Sequence, residues 1–88
     1  MLNLSGYTLT EKIYQGQKTV IYRGYKHPER QPVIVKSLAA ELPHPLDIAS
    51  FKHQYEILNN LDVPGVVKLL GLERYRNSFV LIMEDFGG

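Results

Sequence analysis

The sequence predicts an α+β fold, a five-stranded antiparallel sheet with one main helix in the order β-β-β-α-β-β. Three observations lead there. Short β-branched and aromatic runs alternate with polar or glycine-containing turns, which reads as consecutive hairpins. A single stretch places Ile48, Phe51, Tyr55 and Leu58 at spacings of three and four, one apolar stripe of a helix. Two further β-rich runs follow that stretch, so the helix has a sheet to pack on.

The first strand is expected over Tyr7 to Tyr14, with Tyr7, Leu9, Glu11 and Ile13 on one side. Gln15-Gly16-Gln17-Lys18 makes the turn, and Thr19 to Arg23 pairs back as the second strand. A polar turn, Lys26 to Arg30, leads to a third strand over Gln31 to Leu38, where Pro32 sits at a tolerated early position. Pro45 suits the first helical turn, because its missing N–H has no helical partner there. Asp47 lies near the positive end of the helix dipole. Asn59-Asn60 and Pro64-Gly65 end the helix. Val66 to Tyr75 and Ser78 to Glu84 form the last two strands, around the turn Arg76-Asn77.

Composition narrows the function classes. At 88 residues the chain supports one small domain with a modest core. Cysteine is absent, so no disulfide or thiolate metal site supplements that core, which fits a reducing, cytoplasmic setting. The formal net charge of +1 points to neither a nucleic-acid nor a membrane partner. No apolar run reaches the roughly 20 residues of a membrane helix, and residues 1–6 lack the features of a signal peptide. His27, His44 and His53 show no metal-ligand spacing, so no metal site is expected. The last residues, Asp85-Phe86-Gly87-Gly88, follow an apolar run directly, and the expectation is a fragment.

Three features fall in an informative order. A hairpin carries a glycine at its tip, in Ile13-Tyr14-Gln15-Gly16-Gln17-Lys18-Thr19-Val20-Ile21-Tyr22. A lysine ends an apolar strand, Val33-Ile34-Val35-Lys36. The helix carries a polar residue, Gln54, between Phe51 and Leu58. Strand parity puts Lys36 on one face with Ile34 and Leu38, where an unpaired ammonium is costly and an anion would offset it.

In this order and spacing the chain resembles the N-terminal, ATP-binding lobe of a protein kinase, over about Tyr7 to Gly88. Its flavour is nearest the bacterial serine/threonine kinases that begin large multidomain signalling proteins. Val33-Ile34-Val35-Lys36 matches the Val-Ala-Ile-Lys motif, and the stretch from Phe51 to Leu61 looks like the helix that pairs with that lysine. Val63 to Leu70 looks like the lead into the fourth strand, and Val80 to Gly88 like the fifth strand and hinge.

The resemblance implies ATP with magnesium as cofactor in a full-length parent. It implies that Lys36 contacts phosphate and that Gln54 stands where the family has a pairing glutamate. Ile13, Ile21 and Ile34 would sandwich the adenine, with Met83 as gatekeeper. The Glu84 carbonyl and Phe86 amide would meet the adenine edge. Of the family's three hairpin glycines only the middle one is kept, as Gly16; the others fall at Tyr14 and Thr19, where side chains crowd the phosphates or, for Thr19, offer a hydroxyl. Asp85-Phe86-Gly87 spells the family's metal-binding motif but stands at the hinge, before any catalytic loop.

Each motif also has a plainer reading. Gly16 serves any tight turn. Lys36 is a solvated strand-end charge in most proteins. The isoleucines fit a strand core, and Gln54 fits a half-buried site that tolerates it as well as a weakened active conformation. Three functions therefore stand. The first is the ATP-binding half of a serine/threonine kinase, inactive alone because the catalytic and metal-binding loops are absent. The second is a pseudokinase-like interaction module. The third is a β-rich binding domain unrelated to kinases. The expected partners are ATP, the missing C-terminal lobe, downstream signalling domains, and a second copy through the face near Met83 and Phe86 or the fifth-strand edge.

Overall fold

The computed structural model describes residues 3–39, 43–59, 68–76 and 78–85. Its strands are β1 (Tyr7–Gln15), β2 (Thr19–Lys26), β3 (Gln31–Leu38), β4 (Leu69–Tyr75) and β5 (Ser78–Glu84), and its helix is α1 (Pro45–Asn59). The five strands form one antiparallel sheet in the order β1-β2-β3-β5-β4, so the expected free edge at the fifth strand is corrected: β5 is paired on both sides, and the edges are β1 and β4. The expected fold class is therefore the observed one. The expected helix-ending signals from Asn60 to Gly65, and the expected start of the fourth strand at Val66, lie outside the described residues.

Directly opposed residues share a face, so the register sorts the side chains. On one face Val20, Ser37 and Val80 form a row, then Tyr22, Val35 and Ile82, then Gly24, Val33 and Glu84. This is the inner face. Val33, Val35, Val80 and Ile82 are fully buried there, and Leu4, Tyr7, Leu9, Leu70 and Tyr75 pack on the same cluster. Tyr7 and Leu9 lie on β1 and Leu70 and Tyr75 on β4, the two edges of the sheet. Laid flat, four strand spacings would part those edges by about 19 Å. Sharing one cluster requires the sheet to twist and curl around it.

The other, outer face carries the row Ile21, Lys36, Leu81 and the row Arg23, Ile34, Met83. Here α1 packs on β4 and β5. Phe51 and Leu81 are buried but stand apart from the inner cluster, and they belong to this second layer. Ile48 and Tyr55 are half-buried beside Phe51, as the stripe predicts. The side chain of Leu58 lies outside the described residues.

Two expectations about the first hairpin are corrected. Parity in β1 does not run through: bulges between Leu9 and Glu11 and between Lys12 and Tyr14 each insert a residue. Leu9 thus opposes Gly24 on the inner face, whereas Glu11 opposes Arg23 on the outer face. The second strand also runs on to Lys26 rather than stopping at Arg23. Gly24 does not end it. A Cβ at that position would lie 2.2 Å from the Thr8 carbonyl oxygen and 2.9 Å from Leu9 Cα, so only glycine admits β1 this close.

Candidate functional site

Lys36 is the middle member of the outer-face row Ile21, Lys36, Leu81, and it reaches α1 where the helix passes the sheet. Its Nζ donates to Gln54 Oε1 at 3.3 Å. Phe51 anchors the helix in the second layer, and Gln54, three residues on, lies on the same side of the helix one turn along. Gln54 is exposed and Lys36 half-buried, so the contact sits at the rim of the helix–sheet layer. Glu56 cannot substitute, because two residues along a helix turn it by about 200°.

The hairpin tip closes tightly. Gly16 N–H donates to the Thr19 carbonyl at 2.8 Å, leaving Gln17-Lys18 as a two-residue turn. Ala39 N–H donates to the Lys18 carbonyl at 2.8 Å and ties the tip to the end of β3. Lys18 Nζ lies 3.8 Å from Asp47 Oδ1 in the first turn of α1. Both partners are largely exposed, so this pair contributes little. A small open groove runs between them, lined by Gln17, Lys18, Leu38, Pro43 and Asp47. The helix start beside it is capped by His44. Its Nδ1 accepts from the Leu46 N–H at 3.1 Å, and its carbonyl accepts from the N–H groups of Asp47 and Ile48.

Tyr14 opposes Ile21 and so faces outward. Its ring lies against the hairpin tip: a Cβ on Gly16 would sit 2.8 Å from the Tyr14 hydroxyl oxygen and 3.0 Å from the ring edge.

At the far end of the outer face Met83 opposes Ile34. Asp85 N–H donates to the Pro32 carbonyl at 3.2 Å, and Glu84 N–H to the Lys68 carbonyl at 2.9 Å. Arg23 bridges this end to the hairpin strands. Its Nε donates to Asp85 Oδ2 at 3.0 Å and its Nη1 to Glu11 Oε1 at 3.2 Å. The Asp85 side chain is only 10% exposed, so this charge-assisted bond is better shielded from solvent than the Lys18–Asp47 pair. Sequence reasoning did not single out Arg23. Its signal was its outer-face parity with Ile21, within the strand already expected over Thr19 to Arg23.

The family model for protein tyrosine and serine/threonine kinases matches residues 7–87. This chain belongs to the protein kinase family. Over 84 residues, 96% of this chain, it is 33% identical to tyrosine-protein kinase Fer of Rattus norvegicus, of which the match covers 10%. Over 86 residues, 97% of this chain, it is 28% identical to serine/threonine-protein kinase ULK3 of Homo sapiens, covering 18% of it. A third relative is cell division control protein 7 of Schizosaccharomyces pombe, 28% identical over 94% of this chain and 8% of that protein. The chain thus spans between 8% and 18% of the length of these relatives. They include both tyrosine and serine/threonine kinases.

Against that family, the structure brings Ile21, Ile34, Lys36 and Met83 onto one face, with Gln54 beside Lys36. Thr19 opposes Leu38 at the hairpin end of the same face, and Gly16 forms the tip. Ile13 occupies the second β1 bulge and is 43% exposed. The Glu84 side chain belongs to the inner-face row. Phe86 lies outside the described residues, as does Gly87. Among the described residues no cluster of three His, Cys, Asp or Glu side chains could hold a metal ion, and no helix is long and apolar enough to cross a membrane.

Proposed function

We propose that this chain is the nucleotide-binding, N-terminal part of a protein kinase catalytic domain, and that its outer face is the roof of the nucleotide site. The observation that carries this reading is the Lys36–Gln54 bond, an amine held beside α1 at the end of an apolar strand. Ile21, Ile34 and Met83 would cover the adenine, with Ile13 at its margin. The Glu84 carbonyl and the Phe86 amide would meet its edge, and Lys36 would meet phosphate. Thr19 and Gly16 would line the phosphate end.

Magnesium, which kinase chemistry employs to neutralise charge on the transferred phosphoryl group, finds no ligand cluster among the described residues. Its ligands belong to the rest of the catalytic domain, and no step is assigned to this chain through it. The chain's own part is to bind and orient the nucleotide, without phosphoryl transfer. The sequence flavour supports a bacterial, cytoplasmic serine/threonine kinase with further signalling domains as the parent. The partners on this reading are ATP and the remainder of the kinase domain.

A second reading, a pseudokinase-like interaction module, draws support from the neutral partner of Lys36. A full-length sequence with an intact His-Arg-Asp and a later Asp-Phe-Gly would favour the enzyme; their absence would favour the module. Isothermal titration with Mg-ATP should give weak or no binding, because half the pocket is not in this chain. A micromolar dissociation constant would contradict that. Backbone NMR at high nucleotide concentration tests the face itself. Shifts should centre on Ile21, Ile34 and Met83, and shifts confined to inner-face residues would sink the assignment.

A further inference from the structure

We propose that Tyr14 closes the phosphate end of this face, so that the site takes an adenine nucleoside in preference to its triphosphate. The inference rests on the nucleotide reading above and specifies its ligand.

The register puts Tyr14 on the same face as Ile21, directly across the first hairpin from it. The ring does not extend away from the tip. It folds against Gly16, close enough that even a methyl group there would collide with its hydroxyl. The one glycine that opens space at the tip is therefore filled from within the hairpin. A phenol is a poor neighbour for a polyphosphate, because it occupies volume and offers a single donor against several anionic oxygens.

The donors that would compensate are partly engaged. Gly16 N–H is spent on the Thr19 carbonyl. Lys18 points to Asp47, whose carboxylate adds a negative charge beside the groove at the tip. Lys36 donates to the neutral Gln54. A triphosphate must displace the ring and share Lys18 with Asp47 and Lys36 with Gln54, whereas a nucleoside asks for none of this. Ile34 and Met83 lie on β3 and β5, beyond the hairpin that carries Tyr14, and are only half-buried, so a purine ring still has a surface to meet.

The test is an NMR titration of the 88-residue chain with adenosine and separately with Mg-ATP, for wild type, Tyr14→Phe, Tyr14→Ser and Tyr14→Thr. Threonine keeps the β-branched preference of a strand should serine loosen the hairpin. In all four proteins adenosine should shift Ile34 and Met83 with similar affinity. In wild type and Tyr14→Phe, Mg-ATP should bind more weakly than adenosine. Removing the ring should narrow that gap about tenfold, a change of ~1.4 kcal/mol.

If adenosine binds and ring removal leaves the ratio unchanged, the Tyr14 assignment falls alone. If neither ligand moves Ile34 or Met83 in any variant, the nucleotide reading falls and this inference with it. A measurement on wild type stands independent of the variants. The nuclear Overhauser contact between the Tyr14 ring and the Gly16 α-protons should persist with adenosine bound and weaken with Mg-ATP bound. Its persistence with the triphosphate in place would overturn the proposal.

Discussion

Replacing Gln54 by glutamate tests whether the Lys36 amine is held where the structure puts it. The substitution keeps shape and helix propensity, so the change isolates charge. Gln54 lies mid-helix, away from the dipole ends. The existing bond is long, at 3.3 Å, and joins a neutral acceptor to a cation. An ionic acceptor roughly doubles such a bond. Because Gln54 is exposed, the appropriate scale is that of a surface ion pair, and the expected gain is about 0.5 kcal/mol. For a domain of this size that raises the melting temperature by roughly 2–4 °C. At about 1 M salt the screening length falls to ~3 Å, near the bond length itself, so most of the gain should vanish. Thermal melts by circular dichroism at low and high salt read this directly. The same substitution in a Lys36→Met background should gain nothing, which closes a double-mutant cycle. A gain that survives high salt, or that appears equally without Lys36, would refute the pairing and with it the main support for the nucleotide face.

Two other outcomes follow from the packing. Gly24→Ala drives a Cβ into the Thr8 carbonyl and the Leu9 backbone and should cost about 3 kcal/mol or more; in so small a domain that means loss of dispersed NMR signals, and a normally folded variant would disprove the close approach of β1. Tyr7 should ionise above the ordinary tyrosine value in an ultraviolet titration, because burial first, and then the charge of Glu73 and a hydrogen bond to it, raise its pKa. A raised folded-state value favours the neutral phenol, so its stabilisation is complete below the unfolded value of about pH 10 and is lost as pH climbs through the higher folded value. Glu73→Gln should lower the Tyr7 pKa toward the ordinary value, and no change would remove the contact between the sheet edges.

The order of elements was legible because each hairpin is flanked by runs of fitting residue type, and because only one segment has helical spacing. Lys36 was legible for a similar reason: parity along an apolar strand needs no knowledge of the rest of the fold. What failed was parity where the backbone slips. The two bulges of β1 are register events between strands, and no residue in Leu9 to Tyr14 announces them. Gly24 misled for a physical reason. A glycine weakens an isolated strand, yet here it is required by a neighbour that the sequence does not display. Arg23 escaped notice as a site residue because its partner Asp85 becomes a neighbour only through the register; Tyr14 was legible as a side chain that crowds the phosphates, but its contact with Gly16 appears only in the folded hairpin.

The distribution of strong and weak contacts says where this chain can yield. The inner face is a closed apolar cluster that draws on every strand, and disturbing it unfolds the domain. The outer face is divided. Among the described residues α1 packs on β4 and β5, while its polar links to β3 and the first hairpin turn are the partly exposed contacts Lys36–Gln54 and Lys18–Asp47. Such contacts are worth at most about 1 kcal/mol each, against several for the apolar layer beneath α1. The position of α1 relative to the hairpin tip is thus held weakly, and it borders the groove lined by Gln17, Lys18, Leu38, Pro43 and Asp47. An anion arriving there would compete with Asp47 for Lys18 and shift the helix before it disturbed the sheet. The same softness explains how Lys36 can be carried on an apolar strand: its partner, Gln54, is held loosely enough to be exchanged.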